Sequence, residues 1–208
     1  MGRFPGGGGP RAARRLAASP GGPHNGGMHI CHVITRLIIG GAQENTLLTC
    51  EGLHARGHRV TLISGPTRGP EGSLVERARQ GGYEYIEIPE LIRAVNPWMD
   101  TRAVRLLRME FARLRPDVIH THSSKAGIVG RYAARRLRGP AVVHTIHGMS
   151  FNRTQPRIVR WVYAALERRA ARWTDALVGV ADAMLRQSLA HGIGRRERMH
   201  VVYSGMDL

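Results

Sequence analysis

The chain has almost no cysteine and almost no lysine. Cys31 and Cys50 are its only cysteines. Each lies inside an apolar periodic segment, which argues against a disulfide framework and for two buried free thiols in a reducing compartment. Aromatic residues make up 5% of the 208 positions. That is too few for a stacking platform beside the basic residues, so nucleic acid is not the expected partner. No apolar run nears the roughly 18–20 residues needed to cross a bilayer. The first 27 residues lack the apolar centre of a secretory signal. A Walker A loop and a G-x-S-x-G elbow are missing too, which removes the P-loop and Ser-His-Asp hydrolase readings.

What is abundant is arginine. Of 31 basic residues only Lys125 is a lysine, and the net charge is +16. A GC-rich coding sequence produces such a bias, and so does attraction to an anionic lipid surface or a phosphorylated substrate. Residues 1–27 are Gly, Pro, Ala and Arg without hydrophobic period, so they are expected to be a disordered extension. Met28 directly precedes the first strand-like run and is a candidate translation start. Setting the extension aside removes four arginines and lowers the net charge to +12.

From Met28 onward strand-like and helix-like segments alternate. HICHVIT (29–35), HRVTLIS (58–64), YEYIEI (83–88), DVIHTH (117–122), PAVVHTIH (140–147), DALVGV (175–180) and HVVYS (200–204) read as strands. Helices are expected over residues 42–57, 72–80, 101–115, 124–137, 157–173 and 181–190. In the 101–115 segment Val104, Leu107, Phe111 and Leu114 form one apolar stripe. Short apolar strands separated by helices predict an α/β fold: a Rossmann-like, doubly wound parallel sheet of about seven strands with helices on both faces. Ligands of such sheets bind beyond the carboxyl ends of the strands, so the loops after Thr35, Ser64, His120, His147 and Val180 become the places to search.

Gly40 and Gly41 lie between the first strand and a helix opening Ala-Gln-Glu-Asn. Two glycines let a ligand approach the backbone, and free amides at a helix start suit an anion. The spacing is not the G-x-G-x-x-G dinucleotide fingerprint, and a simple turn into a helix explains it equally. In DVIHTHSSKAGIVGR, His120 and His122 alternate and so point the same way. Ser123 and Ser124 are candidate caps of the following helix. Lys125 and Arg131 add positive charge at that end. A metal set can be drawn by adding His144 and His147, yet no carboxylate or cysteine stands at ligand spacing, so packed or loop-anchoring histidines are the default and no metal is expected. His147 ends its strand before Gly148, where its ring can face the crevice and, with a near-neutral pKa, donate or accept a hydrogen bond.

In order along the chain, ITRLIIGGAQENTLL, HRVTLISGP, RPDVIHTHSSKAGIVGRYAAR, VVHTIHGMSF, LERRAARWTDALVGVA and VVYSGMDL resemble the amino-terminal half of family 4 glycosyltransferases, enzymes of the GT-B fold. The resemblance covers residues 28–208. It implies a Rossmann-like acceptor-side domain over 28–204, with 205–208 opening the hinge to a donor-binding domain that this sequence does not contain. In the hinge Ser204-Gly205 stands where Asn-Gly is commoner. It further implies transfer of a sugar from a nucleotide-diphosphate sugar, with retention and without an essential metal or other cofactor, in cell-surface polysaccharide building.

Carried over by position, the resemblance sets Gly40 and Gly41 against the donor diphosphate and acceptor. It sets His147 against the donor sugar, and His120, His122, Ser123, Ser124 and Lys125 on the acceptor side. The basic residues and E-x7-E motif of the donor half are missing, so the fragment alone is expected to be inactive. Acceptors in such pathways are often polyprenyl-linked. Arg102, Arg105, Arg108, Arg113 and Arg115 on one helix and its end, and Arg157, Arg160, Arg168, Arg169 and Arg172 on and beside another, could then hold a cytoplasmic enzyme at an anionic membrane, or form an ordinary solvated face. The alternative in a different class is a stand-alone Rossmann-like protein binding a phosphorylated ligand or nucleic acid.

Overall fold

The computed structural model describes residues 26–151 and 154–205. The expected extension and the hinge therefore fall almost wholly outside the described residues. All six residues of β1 (His29–Ile34) are buried, the mark of a central strand covered on both faces. The chain continues through α1 (Gly41–Ala55), β2 (Arg59–Ser64), α2 (Val75–Gln80), β3 (Glu84–Glu87), α3 (Pro97–Leu114) and β4 (Val118–His122). Then come α4 (Ser124–Ala134), β5 (Ala141–Ile146), α5 (Arg157–Ala171), β6 (Ala176–Gly179), α6 (Asp182–Ala190), a short 3-10 turn and β7 (Met199–Val201).

The seven strands pair in parallel in the order β3-β2-β1-β4-β5-β6-β7. Strand order reverses between β1 and β4, where His32 sits opposite His120 and Val33 opposite Thr121. The carboxyl ends of these two strands therefore open a crevice at the switch point. The expected doubly wound sheet is the observed one.

Most helix boundaries follow local chemistry. Gly57, with φ of 82°, turns the chain out of α1 as a left-handed residue. The largest departure from the expected helix bounds is at the start of α3, while α2 begins three residues later and α4 ends three residues earlier than expected. α3 begins at Pro97, because the Asn96 side chain accepts hydrogen bonds from the Trp98 and Met99 amides, both at 3.2 Å. Pro at the first helical position fits that cap. The stripe facing the sheet is Ala103, Leu107, Phe111 and Leu114, with Val104 half-buried at its margin.

Each side of the sheet carries its own core. Cys31, Val33, Ile63 and Ile119 pack under α3 and α4 with Leu107, Phe111 and Val129. Ile34, Leu47, Cys50 and Leu62 pack with Ala78 under α1 and α2. A third cluster, with Ile146, Phe151, Ala164, Leu177, Leu185 and Met199, closes the β5–β7 end. Both cysteines are free and buried, and burial pushes both thiols up, away from thiolate chemistry.

A charged pair lies inside this packing. Arg131 of α4 donates to Glu167 of α5 at 2.6 Å, with their side chains 0% and 7% exposed. Arg131 Nε also donates to the Gly127 carbonyl at 2.7 Å. Ser150, in the loop after β5, donates to the other Glu167 oxygen at 2.8 Å. The pair thus ties two helices and the loop that follows His147. Arg131 was expected to add charge to the helix start; it is buried and neutralised instead.

Candidate active-site cleft

Three loops meet at the switch point. The first carries Gly40 and Gly41. The Gly40 carbonyl accepts from the Gln43 and Glu44 amides at 3.0 Å, and the Gly41 and Ala42 amides take no hydrogen bond among the described residues. Gly40 is extended (φ 172°), a conformation open to any residue. A Cβ on Gly41 would meet nothing within 4 Å, so bare backbone is not demanded there by the protein's own packing. The open space lies instead on the side of a cavity of about 380 Å³, lined by Gly41, Ala42, Asn45, His147, Val180 and Ser204 among others.

The second loop follows β4. Ser123 starts α4 but does not cap it with its side chain; its φ is 58°, in the left-handed region, which is costly for a non-glycine residue. The cap comes from another strand. Thr35, just after β1, has its Oγ1 3.0 Å from the Ala126 amide and 2.7 Å from the Ser123 hydroxyl. The expected cap role of Ser123 and Ser124 is thus filled by Thr35, whose distance in sequence hid it.

Ser123, Ser124 and Lys125 line a second cavity, of about 540 Å³, with Thr35, Arg36 and Arg93 on its walls. Lys125 is already engaged. Its Nζ lies 2.5 Å from Asp100 and donates to the Ala94 carbonyl at 2.9 Å, joining the α4 start to α3. Fixed positive charge at this end is therefore weaker than the sequence suggests, because Lys125 and Arg131 are both paired.

The third loop follows β5 and carries His147, half-buried and reaching the smaller cavity. Behind it lies a group of histidines. His122 is 1% exposed, with Nδ1 3.1 Å from His147 Nε2 and Nε2 3.0 Å from His32 Nδ1. His120 lies beside it, ring centroids 4.2 Å apart, with Nε2 2.7 Å from the Thr145 hydroxyl. His120 and His122 do share a face, as their alternation implies. His144 is on the other face: its Nδ1 meets Thr121, and a Cβ on Gly127 of α4 would touch its ring.

His32, passed over inside an apolar strand, is the residue that completes the group. Among the described residues, His32, His120 and His122 are the three whose ligand atoms come within 4.8 Å of one another. The metal set drawn from the sequence does not assemble, since His144 points away. The observed trio is a weak cation site as well, because His32 Nδ1 and His122 Nε2 are hydrogen-bonded to each other and no carboxylate joins them.

These rings are uncharged near neutral pH. Burial lowers His32 and His147 to about 4. Burial first, and then neighbouring rings, hold His120 and His122 well below the usual range. The near-neutral pKa expected of His147 is corrected accordingly. It serves the cleft as a neutral donor or acceptor rather than as an imidazolium acid.

Comparison with known proteins fits this geometry. The sequence profile of Glycosyltransferase Family 4 matches residues 39–208. UDP-Gal:alpha-D-GlcNAc-diphosphoundecaprenol alpha-1,3-galactosyltransferase of Escherichia coli is 33% identical over 149 residues, covering 72% of this chain and 37% of that protein. Among solved structures, a glycosyltransferase from Rickettsia africae superposes with a TM-score of 0.65 at 19% identity, covering 86% of this chain and 43% of its own. Sucrose-phosphate synthase of Thermosynechococcus elongatus gives 0.63 at 13% identity, over 86% and 49%. The chain thus spans less than half the length of each of these relatives.

Proposed function

Because this chain belongs to glycosyltransferase family 4, we propose that it is the acceptor-side half of an enzyme that moves a sugar from a nucleotide-diphosphate sugar to a glycan or polyprenyl-linked acceptor. The observation that carries the reading is the coincidence of the family match with a cleft at the sheet's switch point, walled by the Gly41 and Ala42 amides and His147. The amides, at the positive end of α1, suit an anionic diphosphate. His147, neutral and half-buried, suits a sugar hydroxyl. Ser123, Ser124 and the larger cavity suit the acceptor. Transfer proceeds with retention and draws on no metal or other cofactor from these residues. The product feeds cell-surface polysaccharide synthesis in the cytoplasm.

A second half completes the reaction. Stabilising a departing nucleotide diphosphate is electrostatic work, and the available cations of this cleft are few, since Lys125 and Arg131 are held by Asp100 and Glu167. Residues 28–204 then form the first domain, 205–208 begin the connection to a donor-binding domain, and the 208 residues alone do not turn over. A turnover assay on these residues with a panel of nucleotide sugars tests this; rates like those of a two-domain enzyme would sink it.

Membrane contact belongs to the same proposal. No helix among the described residues is long and apolar enough to cross a membrane. α5 instead exposes Ile158, Trp161, Val162 and Leu166, with Arg157, Arg168 and Arg169 on the same helix. An apolar stripe flanked by arginines fits peripheral seating on anionic lipid. On α3 the charge is partly spent, because Arg102 pairs with Glu90 and Arg113 with Glu84 and Glu110. Co-sedimentation with vesicles, anionic against zwitterionic, checks it: binding to neither kind would remove membrane contact from the proposal.

A further inference from the structure

Three imidazoles run in series from the buried sheet to the cleft. His32 Nδ1 is 3.0 Å from His122 Nε2, and His122 Nδ1 is 3.1 Å from His147 Nε2. A neutral imidazole has one N–H and one bare nitrogen. His122 must therefore donate in one gap and accept in the other, and only two arrangements satisfy both gaps. In one, His32 Nδ1–H donates to His122, His122 Nδ1–H donates to His147, and His147 carries its own proton on Nδ1. In the other every proton is reversed, and His147 offers a bare Nδ1.

The two ends distinguish these arrangements. His147 Nδ1 has no partner among the described residues, and its ring lines the smaller cavity, where water or a hydroxyl can meet either form. The far end, His32 Nε2, is buried without a partner among the described residues. Reversing the chain would put a proton on that atom, leaving a buried N–H with no acceptor, and orphaned buried N–H groups are the rarer kind. His120 stands beside the series rather than within it, its Nε2 engaged by Thr145. The titratable neighbours of the rings are His120 and His144, and Glu44 and Arg77 line the cavity that His147 reaches; Arg131 stands beside His144 and is neutralised by Glu167.

We propose that His122 and His32 are positioning residues that set the tautomer of His147, so that its Nδ1–H is offered to the cleft as a hydrogen-bond donor. The assignment of that donor to a sugar hydroxyl rests on the function proposed above, whereas the tautomer does not.

The test is a long-range 15N–1H correlation spectrum of the 208-residue chain with 15N-labelled histidine at neutral pH, with rings assigned through single His→Gln variants. The expected result is His32, His122 and His147 each protonated on Nδ1. His32→Phe removes the buried end of the series without touching the cleft, and His147 then populates both tautomers. Protonation of His147 on Nε2 in the unsubstituted chain overturns the proposal, whether or not the variant folds. So does an unchanged His147 tautomer in folded His32→Phe. In a two-domain form, His32→Phe raises KM for the donor more than it lowers kcat, and His147→Ala abolishes that sensitivity. If the spectra agree but His147→Ala leaves donor KM unmoved, the sugar assignment fails while the positioning role stands.

Discussion

Replacing Glu167 by Gln isolates the buried charge of Arg131 while keeping the shape of its partner. The Arg131–Glu167 pair is closed to solvent, at 2.6 Å with side chains 0% and 7% exposed. Removing one partner of such a pair costs about 3–5 kcal/mol, because the remaining charge stays desolvated. The glutamine carbonyl still accepts one hydrogen bond from Arg131, which places Glu167→Gln near about 3 kcal/mol. For a domain of this size each kcal/mol moves Tm by about 2–4 °C, so a fall of roughly 6–12 °C is expected.

Urea unfolding followed by circular dichroism measures it, with the midpoint lowered and the slope m unchanged. The double variant Arg131→Met/Glu167→Leu removes both charges and regains most of the loss. A Glu167→Gln chain within about 1 kcal/mol of the original would refute a desolvated pair, since that is the range of an exposed one. The consequence reaches the cleft, because Ser150 holds the loop after His147 onto the same carboxylate.

Other outcomes follow from the same geometry. Gly41→Ala does not lower the melting temperature, since its Cβ meets nothing within 4 Å, yet depresses transfer in a two-domain form by crowding the α1 amides. Burial lowers the folded-state pKa of His32 and His147 from 6.5 to about 4, so the unfolded chain binds protons first. Their contribution to stability is therefore complete above pH 6.5 and drains away as pH falls toward about 4, which urea midpoints across that window will show. His32→Phe removes part of that slope. Ile158→Glu with Trp161→Glu, at positions 73% and 66% exposed, leaves stability within about 0.5 kcal/mol but reduces sedimentation with anionic vesicles at least several-fold.

The sheet was legible because each strand is short, apolar and followed by a helical period, so seven strands could be read in order. Long-range substitutions of one residue for another's role were not. Asn96 and Pro97 start α3 four residues before the start expected at Thr101, since a cap has no hydrophobic period. Thr35 caps a helix whose Ala126 amide lies 91 residues further along the sequence, a pairing that only the adjacency of β1 and β4 creates. His32 looks like any core position in HICHVI until β4 brings His122 alongside. Arg131 and Glu167 lie in stretches crowded with other arginines, where nothing local marks one as buried. Gly41 and His147, which line one cavity, could be placed beside it from the strand ends alone, because a doubly wound sheet has only one rim of carboxyl-terminal loops.

The most direct measurement compares turnover by these 208 residues with turnover by the same residues joined at Gly205 to the donor-binding half of a family 4 glycosyltransferase. A panel of nucleotide-diphosphate sugars and a polyprenyl-diphosphate glycan acceptor would be used, and the anomeric configuration of the product read by NMR. The account predicts no transfer by the short form and transfer with retention by the joined one, with the donor KM raised by His147→Ala. Transfer by the 208 residues alone at the joined form's rate would contradict it.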